Sequence, residues 1–212
     1  IYCSEIINKF KPYVISSEIF QDRITNDNIR NIMIGLIVSK DSLVFNNENK
    51  QTKDSILVST GLTDNAISEA IYIIQELVNN KIHLKKRIFI EPRLFKYKSW
   101  PKEIEKASYT QEMYKSLKYA FIRPGLGTLV NCLSNFVIPI CFSEEKNLEM
   151  INNKNVIIKN NLGLLSKGFD ISFCESNMMD NQIKIIISNI KGLNFNGINQ
   201  FYDAVFKIQN KI

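Results

Sequence analysis

From residue 54 onward, short apolar runs alternate with longer stretches in which apolar residues recur at helical spacing. The runs predict strands at 55–59, 87–91, 104–108, 119–122, 138–142 and 171–174, and the periodic stretches predict helices at 64–79, 110–118, 128–136, 147–161, 180–191 and 197–209. Strands separated by helices of this length pair in parallel through right-handed crossovers. The predicted fold class is therefore α/β, a doubly wound, mostly parallel sheet with helices on both faces.

The first fifty residues carry a weaker pattern. Residues 1–12 have the spacing of an amphipathic helix, 13–15 predict a short strand, and 31–38 predict a strand or an extended linker. The tract 45–54 has almost no apolar content, which is typical of a boundary between domains. Residues 1–50 are therefore assigned to the end of a preceding domain and a linker, and 54–212 to the α/β domain.

Two glycine turns follow strands of the predicted sheet. Gly61 lies in the turn 59–63, and Gly125 and Gly127 lie in the turn 123–128. Ligands of a doubly wound sheet bind at the carboxyl ends of its strands. The N-terminus of the following helix offers unpaired N–H groups and a partial positive charge, which suit a phosphate. The two turns together predict a diphosphate site, although each alone is also typical of a plain turn with a helix cap.

Several other kinds of site are disfavoured by the residues present. The second turn is a poor dinucleotide fingerprint because Val130 occupies the third glycine position, and the chain contains no GxxxxGK[ST] motif. The four cysteines form no CxxC pair, and His83 is the one histidine of the chain. We therefore expect no metal site and no cofactor.

The net charge of +6 comes from scattered basic residues, which are densest at 85–102. Such charge is typical of a solvated face, and the alternative is contact with an anionic membrane or substrate. The absence of a dense basic stripe argues against nucleic acid as a partner. No apolar run reaches the roughly 18 residues that span a bilayer, and no signal peptide is visible. We expect a cytoplasmic protein, with 85–102 as a candidate for peripheral membrane contact.

The stretch RPGLGTLVNCLSNFVIPICF, followed by SEEKNLEMINNKNVIIKNNLGLL, resembles the carboxyl-terminal, donor-binding domain of GT-B glycosyltransferases. It is most similar to the family of the N-acetylglucosaminyltransferase that completes lipid II in peptidoglycan synthesis. The string ILVSTGLTDN also resembles the first strand and glycine loop of that domain. The resemblance covers 54–212 and, more loosely, 1–50, and it implies a Rossmann-like fold. Positions that match the pattern of the family are Arg123, Gly125, Thr128, Pro139, Asn152 and Gly163.

This resemblance implies a nucleotide-sugar donor, most simply a UDP-sugar, and an acceptor whose identity the sequence does not reveal. Two departures from the family concern the ribose and the sugar. The ribose-binding Glu of the family corresponds to Asn131, whose amide lacks the charge that strengthens hydrogen bonds, and its Gln corresponds to Leu148 and Glu149. By resemblance, the nucleotide and diphosphate would contact Thr60, Gly61, Arg123, Gly125, Gly127 and Thr128, and the ribose and sugar would contact Asn131 and Glu149.

The functional hypothesis is a nucleotide-sugar-dependent glycosyltransferase of cell-envelope polysaccharide, which transfers a hexosyl or N-acetylhexosaminyl group. This chain would be mainly its donor-binding half. No residue is an obvious general base, so we expect the catalytic residue in an amino-terminal acceptor domain, without which this fragment would be inactive. One alternative is a nucleotide-sugar hydrolase or epimerase on the same scaffold, with Glu18, Glu91 or Glu144 as its acid or base. Another is a catalytically silent nucleotide-binding or interaction domain, which Asn131 favours.

Overall fold

The computed structural model describes residues 9, 13–20, 30–38, 53–61, 64, 66–143, 146–174 and 181–210. The chain divides into two compact units. One unit comprises Ile1–Ser39 together with Leu193–Ile212, and the other comprises Lys40–Gly192. The expected division into 1–50 and 54–212 stays a prediction, as does most of the predicted helix 1–12, which lies outside the described residues.

The strands and helices follow one another in an order that alternates through most of the chain. The strands are β1 (Tyr13–Ser17), β2 (Arg30–Ile34), β3 (Ser55–Ser59), β4 (Ile88–Ile90), β5 (Ile104–Lys106), β6 (Leu117–Ile122), β7 (Ile138–Cys141) and β8 (Leu164–Leu165). The α-helices are α1 (Ile67–Asn79), α2 (Gln111–Ser116), α3 (Leu126–Ser134), α4 (Leu148–Lys159), α5 (Asn181–Lys191) and α6 (Gly197–Gln209). Short 3-10 helices occupy Ile82–Leu84, Pro92–Lys96 and Ile171–Cys174.

The larger unit is built on a six-stranded sheet in which every pair of neighbouring strands is parallel. The strand order is β5-β4-β3-β6-β7-β8, so the direction of winding reverses between β3 and β6. This order confirms the predicted doubly wound α/β fold. The reversal point is where ligands of such sheets bind, in the crevice beyond the carboxyl ends of the strands.

The two central strands form the middle of the core. All five residues of β3 are buried. In β6, Tyr119 and Phe121 are each at most 2% exposed. Parallel strands covered on both faces show this continuous apolar sequence. Helix α1 covers one part of the sheet with residues at helical spacing, of which Ile74 and Leu77 are fully buried. Each such side chain contributes about 1.5–3 kcal/mol by its burial.

The last strand of the sheet differs from the expectation at 171–174. These residues form a 3-10 helix in which Cys174 is buried, and the sixth strand is instead the two-residue β8. Just before these residues, the ring of Phe169 packs edge-on against Tyr119 and Phe121, with centroids 6.2 and 5.5 Å away. The chain after β8 therefore runs across a face of the sheet and does not extend it.

The smaller unit consists of the parallel pair β1 and β2 with helix α6. The strand expected at 13–15 is confirmed by β1. Of the stretch 31–38, expected as a strand or an extended linker, residues 31–34 belong to β2 and 35–38 follow it outside the strand. Glycines allow the end of β2 to approach the start of α6, since a Cβ added at Gly197 would lie 2.2 Å from the carbonyl oxygen of Gly35. The Gly35 N–H donates to Oε1 of Gln200 at 2.8 Å, which fixes the contact.

Candidate functional site

The first glycine turn follows β3 at the carboxyl edge of the sheet. Gly61 has a φ of +67°, a conformation that L side chains rarely adopt. Among the described residues, a Cβ added at Gly61 would meet no atom within 4 Å apart from those of its chain neighbours. Helix α1 begins at Ile67 without a side-chain cap, which corrects the expected start at residue 64. A ligand can therefore approach the backbone of this turn closely.

The second glycine turn follows β6 and is joined to the first by the sheet. The Arg123 N–H donates to the carbonyl oxygen of Ser59 at 3.1 Å, which places the two turns side by side. Gly125 is the N-cap of α3, and no side chain caps this helix. Its first N–H groups have no partner within the helix. In the described part of the chain, added Cβ atoms at Gly125 or Gly127 would meet nothing within 4 Å beyond their chain neighbours and the backbone of α3, which leaves room for an anion at this helix end.

A buried asparagine supports the second turn from behind. Asn153 of α4 is 4% exposed, and its Nδ2 donates to the carbonyl oxygen of Pro124 at 3.0 Å. The residue that the family pattern selects is its neighbour Asn152, which is partly exposed. Consecutive side chains of a helix point about 100° apart, so only one of these two asparagines can be directed at the Pro124 carbonyl. Asn153 thus ties the position of the Arg123–Gly127 backbone to the core.

Asn131 and Glu149, the expected ribose and sugar contacts, lie at different distances from the carboxyl edge of the sheet. Glu149 is exposed in the first turn of α4, which begins at the carboxyl edge after β7. Asn131 is exposed about 7.5 Å along α3 from its first residue. Asn131 opposes the rise in the pKa of Tyr114 that burial causes, and Tyr114 belongs to α2, the helix that leads into the amino end of β6. Its contact with a ribose stays a prediction.

The sequence reasoning missed a buried polar cluster beneath the first turn. Glu91, directly after β4, is 6% exposed, and its Oε2 accepts hydrogen bonds from the Thr60 N–H at 2.8 Å and the Thr60 hydroxyl at 3.0 Å. Arg93 donates from Nη2 to Oγ1 of Thr60 at 2.7 Å and forms an ion pair with Glu91 through Nε. Thr60 is thus fully engaged with these side chains, and its direct contact with a diphosphate stays a prediction.

The cluster extends to a third strand end through Ser59 and Tyr109. The Ser59 hydroxyl lies 2.8 Å from the Tyr109 hydroxyl and donates to Oε2 of Glu91 at 3.3 Å. Burial raises the pKa of Tyr109, and the hydrogen bond with Ser59 opposes that shift. The carboxyl ends of β3, β4 and β5 are therefore linked by one hydrogen-bonded set. A polar residue directly after a buried strand, as Glu91 is after β4, was the available signal.

Two further features to consider are a metal site and a membrane-spanning helix. No set of three or more His, Cys, Asp or Glu side chains in the described part of the chain is placed to hold a metal ion. Among the same residues, no helix is both long and apolar enough to cross a membrane. Metal-independent chemistry and cytoplasmic location stay predictions.

Comparisons with known proteins identify the fold. No protein-family model and no curated protein matches the sequence. A UDP-glucose: anthocyanidin 3-O-glucosyltransferase solved in complex with UDP is similar in structure, with a TM-score of 0.61 and 12% identity over 93% of this chain and 53% of that chain. The spinosyn forosaminyltransferase SpnP gives a TM-score of 0.58 and 13% identity over 93% of this chain and 54% of that chain.

MurG from Acinetobacter baumannii is also similar, with a TM-score of 0.57 and 12% identity over 91% of this chain and 60% of that chain. The chain therefore spans somewhat more than half the length of each of these three glycosyltransferases. At such low identity the likeness concerns the fold alone. It supports the expectation of a GT-B carboxyl-terminal domain, while membership of the lipid II transferase family stays a hypothesis.

Proposed function

We propose that this chain is mainly the donor-binding half of a nucleotide-sugar-dependent glycosyltransferase that transfers a hexosyl or N-acetylhexosaminyl group. The observation that carries the proposal is the pair of open glycine turns at the reversal point of the sheet. The shared fold with glycosyltransferases supports it. One of those structures holds UDP, which makes a uridine diphosphate the first donor nucleotide to test.

The donor's diphosphate would lie between Gly61 and the N-terminus of α3. The backbone N–H groups of Gly127 and Thr128 are at the start of that helix, and Arg123 follows β6 beside them. Helix N-termini stabilise negative charge by about 0.3–1 kcal/mol at exposed sites and more where water is excluded. The same dipole and N–H groups would stabilise the nucleoside diphosphate as it leaves the sugar, without a metal ion.

The general base for the acceptor hydroxyl would lie outside the donor-binding unit. Glu91, the buried carboxylate at this edge, is fully bonded to Thr60, Ser59 and Arg93, so it is not free to take a proton from an acceptor. The same bonding argues against the hydrolase or epimerase alternative with Glu91 as its acid or base. Activity of this chain would then depend on an acceptor domain.

A catalytically silent nucleotide-binding domain is the second candidate function. Asn131 supports it, because this amide stands where the family has a charged ribose ligand. Both candidates bind the nucleotide, and only one transfers the sugar. Product analysis of the protein together with its acceptor domain would separate them, since the silent domain leaves a UDP-sugar intact.

Titration calorimetry tests the proposal shared by both candidates. The chain is titrated with UDP, UDP-glucose, UDP-N-acetylglucosamine and GDP-mannose. We expect binding of at least one nucleotide diphosphate with a Kd below the millimolar range. If none binds at millimolar concentration, the donor-binding proposal is wrong for this chain.

A further inference from the structure

Glu91 poses an electrostatic problem for a diphosphate site at the first glycine turn. Its carboxylate is 6% exposed and accepts from the backbone N–H of Thr60, the residue before Gly61. A buried negative charge one residue from the proposed anion site repels a diphosphate, and the repulsion is strong where water is scarce. An anion can bind there only if this charge is cancelled.

Arg93 is placed to cancel it. The guanidinium pairs with Glu91 through Nε, and its Nη2 donates to Oγ1 of Thr60 at 2.7 Å. Its Nη1 lies 3.4 Å from Oδ1 of Asp64, a side chain that is 81% exposed and precedes α1. The Arg93 side chain is 23% exposed, so its guanidinium is partly accessible to solvent, whereas the Glu91 carboxylate is buried.

We propose that Glu91 and Arg93 are a positioning pair that makes the first glycine turn selective for a diphosphate. Glu91 fixes the turn by binding both polar groups of Thr60, and Arg93 cancels the charge of Glu91 so that the turn accepts an anion. This inference rests on the proposed nucleotide-binding function and deepens it. The pair acts on the phosphates of the donor and not on its base or ribose.

The proposal predicts how affinity divides between the parts of the nucleotide. Loss of Arg93 leaves an uncancelled carboxylate, which penalises UDP and leaves uridine, a ligand without phosphates, nearly unaffected. For charges several ångströms apart near a protein surface, the penalty corresponds to about a tenfold rise in the Kd for UDP. Removing the carboxylate as well removes the penalty. A purely structural role of the pair would instead weaken UDP and uridine alike.

The test compares the Kd values of UDP and uridine for four proteins by calorimetry and ligand-observed NMR. These are the wild type, Arg93→Gln, the double variant Arg93→Gln with Glu91→Gln, and the control Arg87→Gln. The control loses the same charge at the opposite end of β4, where Arg87 pairs with the partly exposed Glu105 at 2.9 Å. We expect about a tenfold weaker UDP binding for Arg93→Gln, recovery in the double variant, and no change in the control.

Glu91→Gln alone provides a second test with the opposite sign. It keeps Arg93 and removes the negative charge, while the amide oxygen can still accept the hydrogen bonds from Thr60 that fix the turn. UDP should therefore bind more tightly than to the wild type while uridine is unchanged. This variant decides the question if Arg93→Gln does not fold. Equal losses for UDP and uridine in Arg93→Gln, or weaker UDP binding by Glu91→Gln, would overturn the inference. If the wild type binds no UDP, the proposed function itself fails, which is a different result.

Discussion

Replacing Gly61 by alanine is expected to weaken nucleotide binding at a small cost in stability. The backbone of Gly61 has a φ of +67°, and the added Cβ would meet no atom of the described residues within 4 Å other than those of its chain neighbours. An L-residue in this conformation costs about 1–2 kcal/mol, which lowers the Tm of a protein of this size by about 2–8 °C. The methyl group would occupy the space in which the diphosphate approaches, so the Kd for UDP should rise at least about tenfold, or 1.4 kcal/mol.

Gly168→Ala is the matched control for this substitution. Gly168 has a φ of +82° and an equally open Cβ position, but it lies after β8, outside both glycine turns. Thermal unfolding followed by circular dichroism should show similar losses of Tm for the two variants. Calorimetry should show a raised Kd for UDP in Gly61→Ala and a wild-type Kd in Gly168→Ala. Wild-type affinity in both variants would refute the placement of the diphosphate at the first turn.

Three further predictions concern other parts of the chain. Asn153→Ala leaves the Pro124 carbonyl without its buried partner and should lower the free energy of unfolding by about 1–3 kcal/mol and weaken UDP binding, whereas the neighbouring Asn152→Ala should not. Burial lowers the pKa of Lys53 to about 8, so between pH 8 and 10 this lysine binds more protons in the unfolded chain than in the folded one. Denaturant titrations should therefore show that the wild type gains stability relative to Lys53→Met as the pH rises. Glutamines in place of the three exposed lysines at 96–102 should reduce the fraction of protein that sediments with phosphatidylserine vesicles. The same change at exposed lysines of α4 and α5 is the control and should reduce that fraction less. Equal sedimentation of the two variants would exclude 96–102 as a membrane contact.

The sheet could be predicted from the sequence because its central elements are long and strongly patterned. Strand β3 contains the apolar run 56–58 and strand β6 the apolar run 119–122, and α1 buries residues at helical spacing, so local pattern and burial agree. The run 171–174 is short and lacks such agreement. Phe169, just before this run, packs on Phe121 of β6, a long-range contact that periodicity does not reveal.

The candidate site could be predicted only in part, for a related reason. Glycine at the end of a strand is a local signal, so both turns were found. The cluster beneath the first turn joins Thr60 to Glu91 and Arg93, more than thirty residues away along the chain. Such pairing depends on which strands become neighbours. Whether Asn152 or Asn153 contacts the second turn depends on which of them the helix directs at the core. A match by motif position does not contain that information.

The central claim is that a nucleotide diphosphate binds between the two glycine turns. Backbone amide chemical shifts, measured by NMR during a titration with UDP, test it most directly. We expect the largest changes in amide chemical shift at Gly61, Gly125, Gly127 and Thr128, with little change at Gly168. Saturating UDP that leaves these amides unshifted, or that shifts a different region of the chain, would contradict it.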